Sequence, residues 1–117
     1  MTIIVQHAKR NRQTGDVESY TDVAEVNTIE IAAFGTTMGC LEYAYRWTNN
    51  VMGSWSIKKT SFPNYPNADI INGDYNEDVT VLHTRPDGMG QRSTMMGDRM
   101  VIDGETYEVA MAGFEKV

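Results

Sequence analysis

The stretch Arg99-Met100-Val101-Ile102-Asp103-Gly104-Glu105-Thr106-Tyr107-Glu108-Val109 leaves the backbone few choices. Asp-Gly is a preferred pair for a two-residue type I′ turn. Both positions need positive φ, which Gly takes freely and Asp tolerates. The flanking residues alternate. Met100 and Ile102 share one face before the turn, with Arg99 and Val101 on the other. After the turn, Tyr107, Val109 and Met111 alternate with Thr106, Glu108 and Ala110. A slip of one residue would turn the apolar set to water, so turn and pattern together fix the register of a β-hairpin. Gly97-Asp98 opens its first strand, and Gly113-Phe114 is expected to fold an aromatic back over the sheet edge.

The remaining segments supply a partner sheet and one helix. Thr2-Ile3-Ile4-Val5-Gln6 is β-branched and apolar, and Val17, Ser19, Thr21 and Val23 alternate on one face. Residues 2–7 and 17–25 are expected to form an antiparallel hairpin around a polar loop that ends in Gly15-Asp16. Asn27 to Ala33 is ambiguous, with Ile29 and Ile31 alternating as in a strand. Gly35-Thr36-Thr37 offers a threonine N-cap for a helix over Met38 to Asn50. Its stripe Met38, Leu41, Tyr45 and Thr48, with Ala44 and Trp47 beside it, would pack on a sheet. Asn49-Asn50 and Gly53 are suitable terminators. Ser54 to Lys58 is expected as a short strand. Pro63 and Pro66 exclude a helix or a central strand over Phe62 to Asn67. Asn72-Gly73 signals a turn, Asp78 to His83 a strand, and Arg85 to Gly90 a loop.

With 117 residues the chain suits one domain, since smaller pieces could not bury a core. No apolar run reaches the length of a membrane span. Met1 to Val5 lacks the basic flank and length of a signal peptide, so the expected compartment is the cytoplasm. The single cysteine, Cys40, has no internal disulfide partner. Charge is distributed unevenly. Residues 1–60 carry six basic and six acidic side chains, whereas residues 61–117 carry four and ten, so the second part holds the whole net charge of −6. Such a surface repels phosphate backbones and disfavours double-stranded nucleic acid as a partner. It is either a solvated face or a surface offered to a basic partner.

No residue pattern announces catalysis. His7, His83 and Cys40 lack the flanking motifs of a nucleophile set, and their spacing matches no metal-ligand pattern. Asp69, Asp74, Glu77 and Asp78 lack the alternation of a calcium loop. Gly35 and Gly88-Met89-Gly90 lack the lysine and helix of a phosphate-binding loop. The expectation is a non-enzyme without cofactor or metal. Binding candidates remain. Asp74, Glu77 and Asp78 form an acidic stretch. Trp55 and Tyr65 sit in polar surroundings where an aromatic can stack a base or anchor an interface, or fold over a small core. Met95 and Met96 head a methionine-rich segment suited to adaptable contacts, or to filling core gaps. Lys9, Arg10 and Arg12 make the positive cluster of the first loop, a phosphate contact or a solvated tip.

The segment Ser93-Thr94-Met95-Met96-Gly97-Asp98, then Asp103-Gly104, Tyr107 and Gly113-Phe114-Glu115, resembles the closing part of small uncharacterised phage and mobile-element proteins. Their pattern runs Arg-Ser, Ser or Thr, Ser, any residue, Gly-Asp, then a strand, Asp-Gly, and a Tyr two residues before Val. Gly with Phe or Trp and a later acid closes it. The helix Leu41 to Asn50, followed by Trp55, is similar to the helix of the same group. Met95-Met96 departs from its usual small or aliphatic pair. The resemblance covers about half the chain. It implies a phage accessory protein and supplies no catalytic residues.

The expected fold is therefore α+β: a small, twisted, mainly antiparallel sheet or partial barrel, with an SH3-like or PUA-like hairpin and one helix packed on the face of Met100, Ile102, Tyr107 and Val109. The expected function is a non-enzymatic phage accessory protein, important in host takeover, that binds a host or viral protein and inhibits a host-defence or nucleic-acid enzyme. The alternatives are a small virion component, such as a capsid decoration or head-completion protein, and a nucleotide sponge using Trp55, Tyr65 and the basic loop.

Overall fold

The computed structural model describes residues 2–27, 35–51, 53–57, 59–62, 65–71, 73–87 and 90–117, with backbone alone for 59–62 and 65–71. Strands β1 (Thr2–Arg10) and β2 (Val17–Asn27) precede helix α1 (Thr37–Trp47). Then come β3 (Lys59–Phe62), β4 (Tyr65–Ile71), β5 (Val79–Val81), β6 (Arg99–Ile102), β7 (Glu105–Val109) and β8 (Phe114–Lys116). Six of these strands form one open sheet in the order β5-β2-β1-β6-β7-β8, every pairing antiparallel; β3 and β4 make a separate ribbon. The chain is α+β, but the sheet does not close as a barrel: β5 and β8 are its edges.

The β6–β7 hairpin has the register its sequence demands. Arg99 faces Glu108, Met100 faces Tyr107 and Ile102 faces Glu105. Asp103 and Gly104 turn at φ 51° and 76°, both in the left-handed region. Register then spreads the inner face across the sheet. Ile3 lies between Val26 and Ile102, and Val5 between Ala24 and Met100. Val79 stands opposite Val26, and Phe114 opposite Val109. Ile3, Val5, Ala24, Val26, Val79, Met100, Ile102 and Val109 are all buried there.

The β1–β2 pairing slips at two places, between Lys9 and Arg10, where Glu18 is skipped, and between Val5 and Gln6, where burial is disturbed. Between Val5 and Gln6 the pairing skips from Ala24 to Asp22, which leaves Val23 as a bulge. Val23 and Ala24 are consecutive, yet both are buried. A bulge re-aims a side chain in this way, so Val17, Ser19, Thr21 and Val23 do not continue as one regular stripe.

Helix α1 covers the inner face. The Thr36 hydroxyl accepts the Gly39 N–H at 3.0 Å, as an N-cap should. The helix ends earlier than expected, at Trp47, where the Thr48 N–H turns back to the Tyr45 carbonyl. Its buried residues are Cys40, Leu41 and Ala44, continued by Thr48, with Tyr43 and Trp47 partly buried beside them. Met38 and Tyr45, expected in that stripe, are exposed. The helix is rolled so that small Cys40 and Ala44 meet the sheet closely and the bulkier Met38 and Tyr45 lie at its margins.

Residues 54–57 form a turn rather than the expected strand, because Trp55 is drawn inward, away from any ladder. Pro66 does lie in a strand, β4, but a two-stranded ribbon has only edges, where a missing N–H is tolerated. The expected strand over Asp78 to His83 shortens to Val79–Val81. Gly113, at φ 84°, brings Phe114 into edge strand β8 instead of folding it over the edge. Asn27 is the last residue of β2; residues 28–33 of the ambiguous segment lie outside the described residues. Among the described residues, no helix is long and apolar enough to cross a membrane.

Candidate functional site

The Arg92–Asp98 loop is built around one buried carboxylate. Asp98 Oδ1 accepts the Ala8 N–H at 2.8 Å and Arg92 Nη2 at 2.8 Å. Its Oδ2 accepts Arg92 Nη1 at 2.7 Å and the Met95 N–H at 2.8 Å. The same guanidinium donates to the Ser93 and Ala8 carbonyls at 2.9 and 3.1 Å. Burial alone would raise the Asp98 pKa. The bonds from Arg92, Ala8 and Met95, with His7 nearby, outweigh it and hold the carboxyl below its ordinary value.

A second chain of bonds joins this loop to the helix. His7 Nε2 lies 2.9 Å from Thr94 Oγ1, which donates to Thr48 Oγ1 at 2.8 Å; Thr48 Oγ1 donates to the Ala44 carbonyl at 2.8 Å. A carbonyl only accepts, and each hydroxyl has one proton. The proton order therefore runs from His7 through Thr94 and Thr48 to Ala44, with His7 Nε2 as donor. Burial pushes the His7 pKa down to about 4, against Asp98, which raises it, and with help from Arg92. His7 is thus neutral at pH 7, and the 4.0 Å approach of Nε2 to Asp98 Oδ2 is not an ion pair there. Because His7 donates to Thr94, it does not serve that hydroxyl as a base. Thr94 and Thr48 are also fully inside. The Arg92-Ser93-Thr94 and Gly97-Asp98 parts of the loop motif act here as scaffold.

Trp55 belongs to this scaffold: of its two readings, the structure takes the core one and not the interface candidate. It is buried, its Nε1 donates to the Arg92 carbonyl at 2.9 Å, and the His7 ring meets it edge-on at 6.1 Å. Asp74 is likewise not a surface acid. Fully buried, it accepts the Val51 and Gly53 N–H groups at 2.7 Å each, with Arg46 3.2 Å away. Asp78 is half-buried and takes the Tyr43 hydroxyl at 2.7 Å. Of the three expected partner-binding acids, only Glu77 is exposed. Tyr65 starts β4, and its side chain lies outside the described residues.

Met95 and Met96 do face solvent, 52% and 55% exposed. The Gly97 N–H donates to the Val109 carbonyl at 2.9 Å, which sets their turn beside the one carrying Met111. Met111, 92% exposed, was not singled out by the sequence, although its place in the β7 alternation put it beyond the strand's paired end. A groove of about 270 Å³ opens at the same end. Glu42, Tyr45, Val109, Met111 and Phe114 line it, and the Tyr45 and Phe114 rings meet edge-on at 6.1 Å.

The three basic residues of the first loop separate. Arg10 reaches across its own hairpin to the Gly15 carbonyl at 3.0 Å and lies against Gly97, where a side chain would collide with it. Arg12 is exposed at the loop tip. Lys9, in β1, lines a cleft that also contains His7 and His83. Cys40 is in the apolar core, where burial raises its pKa. Among the described residues, no three His, Cys, Asp or Glu side chains gather as a metal site. Comparison with protein-family models, curated proteins and solved structures gives no match.

Proposed function

We propose that this protein acts by binding rather than by chemistry: a phage accessory protein that docks the methionine-bearing end of its sheet on a host protein in the host cytoplasm. The observation that carries the reading is the gathering of Met95, Met96 and Met111 at one end of the sheet, all more than half exposed. Unbranched thioether chains adapt to irregular apolar surfaces, and an exposed apolar cluster is a marker of an interaction site. The groove floored by Tyr45 and Phe114 would receive an apolar anchor from the partner. Glu42 at this groove and the net charge of −6 favour a partner with a basic rim, as an enzyme that handles nucleic acid presents. The phage assignment rests on the sequence resemblance. The Gly-Asp strand and tight turn of β6–β7 suit an SH3-like or PUA-like hairpin by analogy, which carries no function.

The test is affinity capture from infected host lysate with the wild-type chain and a Met95→Ser, Met96→Ser, Met111→Ser variant of unchanged melting temperature. The reading requires a dominant host partner that the variant loses. Equal capture by both chains would overturn it. Capsid or tail proteins as the dominant catch would replace it with the virion-component reading.

A further inference from the structure

The second half of the chain is strongly acidic, yet one cleft is lined by cations. Lys9 comes from the end of β1, Arg85 from the loop after β5 and Arg92 from the loop before β6. They share a cleft of about 330 Å³ with His7, His83 and Gln91, and none of its described lining residues is an acid. The size is at the lower end for small-molecule sites.

The four basic groups other than His7 are not equivalent. Arg92 spends its Nη hydrogens on Asp98, Ser93 and Ala8, and Asp98 offsets its charge. Arg85 pairs with Asp87 at 2.6 Å, but both are exposed, and an exposed pair holds weakly. Lys9 and His83 have no side-chain partner among the described residues. His7 is held neutral by burial and forms a polar wall. An incoming oxyanion would therefore meet Lys9 and His83 and draw Arg85 from Asp87.

A smaller cavity of about 60 Å³ lies beside the cleft, sharing His83, Arg85 and Gln91 and adding Ser56, Ile57, Val81 and Thr84. Charge at one end, with a compact space of two aliphatic side chains and two hydroxyls beyond, suits an ester better than a bare ion.

We infer that this cleft binds a phosphate group, held by Lys9 and Arg85 with His83 beside them, and that a small organic portion extends toward Ile57 and Val81. The inference is independent of the methionine-bearing end. It also moves the phosphate contact from the Arg10–Arg12 loop tip to the cleft.

Amide chemical-shift titration of the whole chain tests it, with inorganic phosphate and with glycerol 3-phosphate as probes. Saturable shifts below about 10 mM, centred on Ala8, Lys9, His83, Arg85 and Gln91, are the expected result. Lys9→Ala and Arg85→Ala should each weaken binding about tenfold, the loss of one charged hydrogen bond, with Arg12→Ala unchanged as the control for general attraction. Tighter binding of the ester supports a phosphorylated small molecule. Equal binding supports the phosphate site but overturns the organic extension. No saturation by either probe, or equal weakening by Arg12→Ala, would overturn the site itself.

Discussion

Arg92 and Asp98 meet through two parallel hydrogen bonds, Nη1 to Oδ2 at 2.7 Å and Nη2 to Oδ1 at 2.8 Å, with the carboxylate inside the protein. Asp98→Asn nearly preserves shape but loses the charge and turns one acceptor into a donor. That leaves the guanidinium uncompensated and a backbone N–H of Ala8 or Met95 without its partner. Because Arg92 is itself partly solvated, the expected loss is about 1–3 kcal/mol of unfolding free energy, read from the midpoint of chemical denaturation.

His7 gives stability a pH dependence of definite sign. An unfolded histidine takes up its proton near pH 6.5, while folded His7 resists protonation until about pH 4. Its contribution is full above pH 6.5 and is lost as the pH falls through 6.5 toward 4, by roughly 2–3 kcal/mol. Asp98 has its pKa lowered from 3.8, so its own contribution is lost only at lower pH. Melting temperature measured from pH 7 to pH 4 should fall for the wild type and flatten for His7→Gln, which keeps a donor for Thr94. Parallel curves for both chains would contradict this.

The roll of α1 predicts a contrast within one helix. Leu41→Ala should destabilise by about 2–5 kcal/mol, because Leu41 is wholly buried. Met38→Ala should stay within about 0.5 kcal/mol, since Met38 is exposed. Denaturation curves of the two variants separate the observed packing face from the stripe centred on Met38 and Tyr45.

Cys40 reports opening of the same interface. Its thiol is buried and its pKa raised, both of which withhold the reactive thiolate. Labelling by a thiol reagent should therefore be far slower in the folded chain than in denaturant, and Leu41→Ala should accelerate it. Labelling at the denatured rate under native conditions would refute the burial.

Local chemistry made much of this fold legible. Asp103-Gly104 and its alternating flanks specified a hairpin without help from the rest of the chain, and Thr36 marked the helix start. Long-range choices were not legible. The Asp98 carboxylate meets the Ala8 N–H across 90 positions, and no local pattern connects them. Trp55 and Asp74 stand among polar neighbours, as surface residues do. They are inside because their loops fold onto the scaffold, where the Arg92 carbonyl accepts the Trp55 indole N–H and the Val51 and Gly53 N–H groups donate to Asp74. Likewise the bulge at Val23 depends on two strands pairing out of step. Of the partner-binding candidates, Met95 and Met96 stayed outside because their turn projects from the end of the sheet.

The placement of β1 between β2 and β6 has a consequence during synthesis. β2 pairs with one side of β1 soon after the two strands emerge, but β6, which pairs with the other, is made much later. At about 5–20 residues per second, the nascent chain carries an open strand edge around Ile3 and Val5 for several seconds. That unpaired edge is a template for contact with another chain, so the growing polypeptide is most exposed to aggregation before Arg99–Ile102 arrives to cover it.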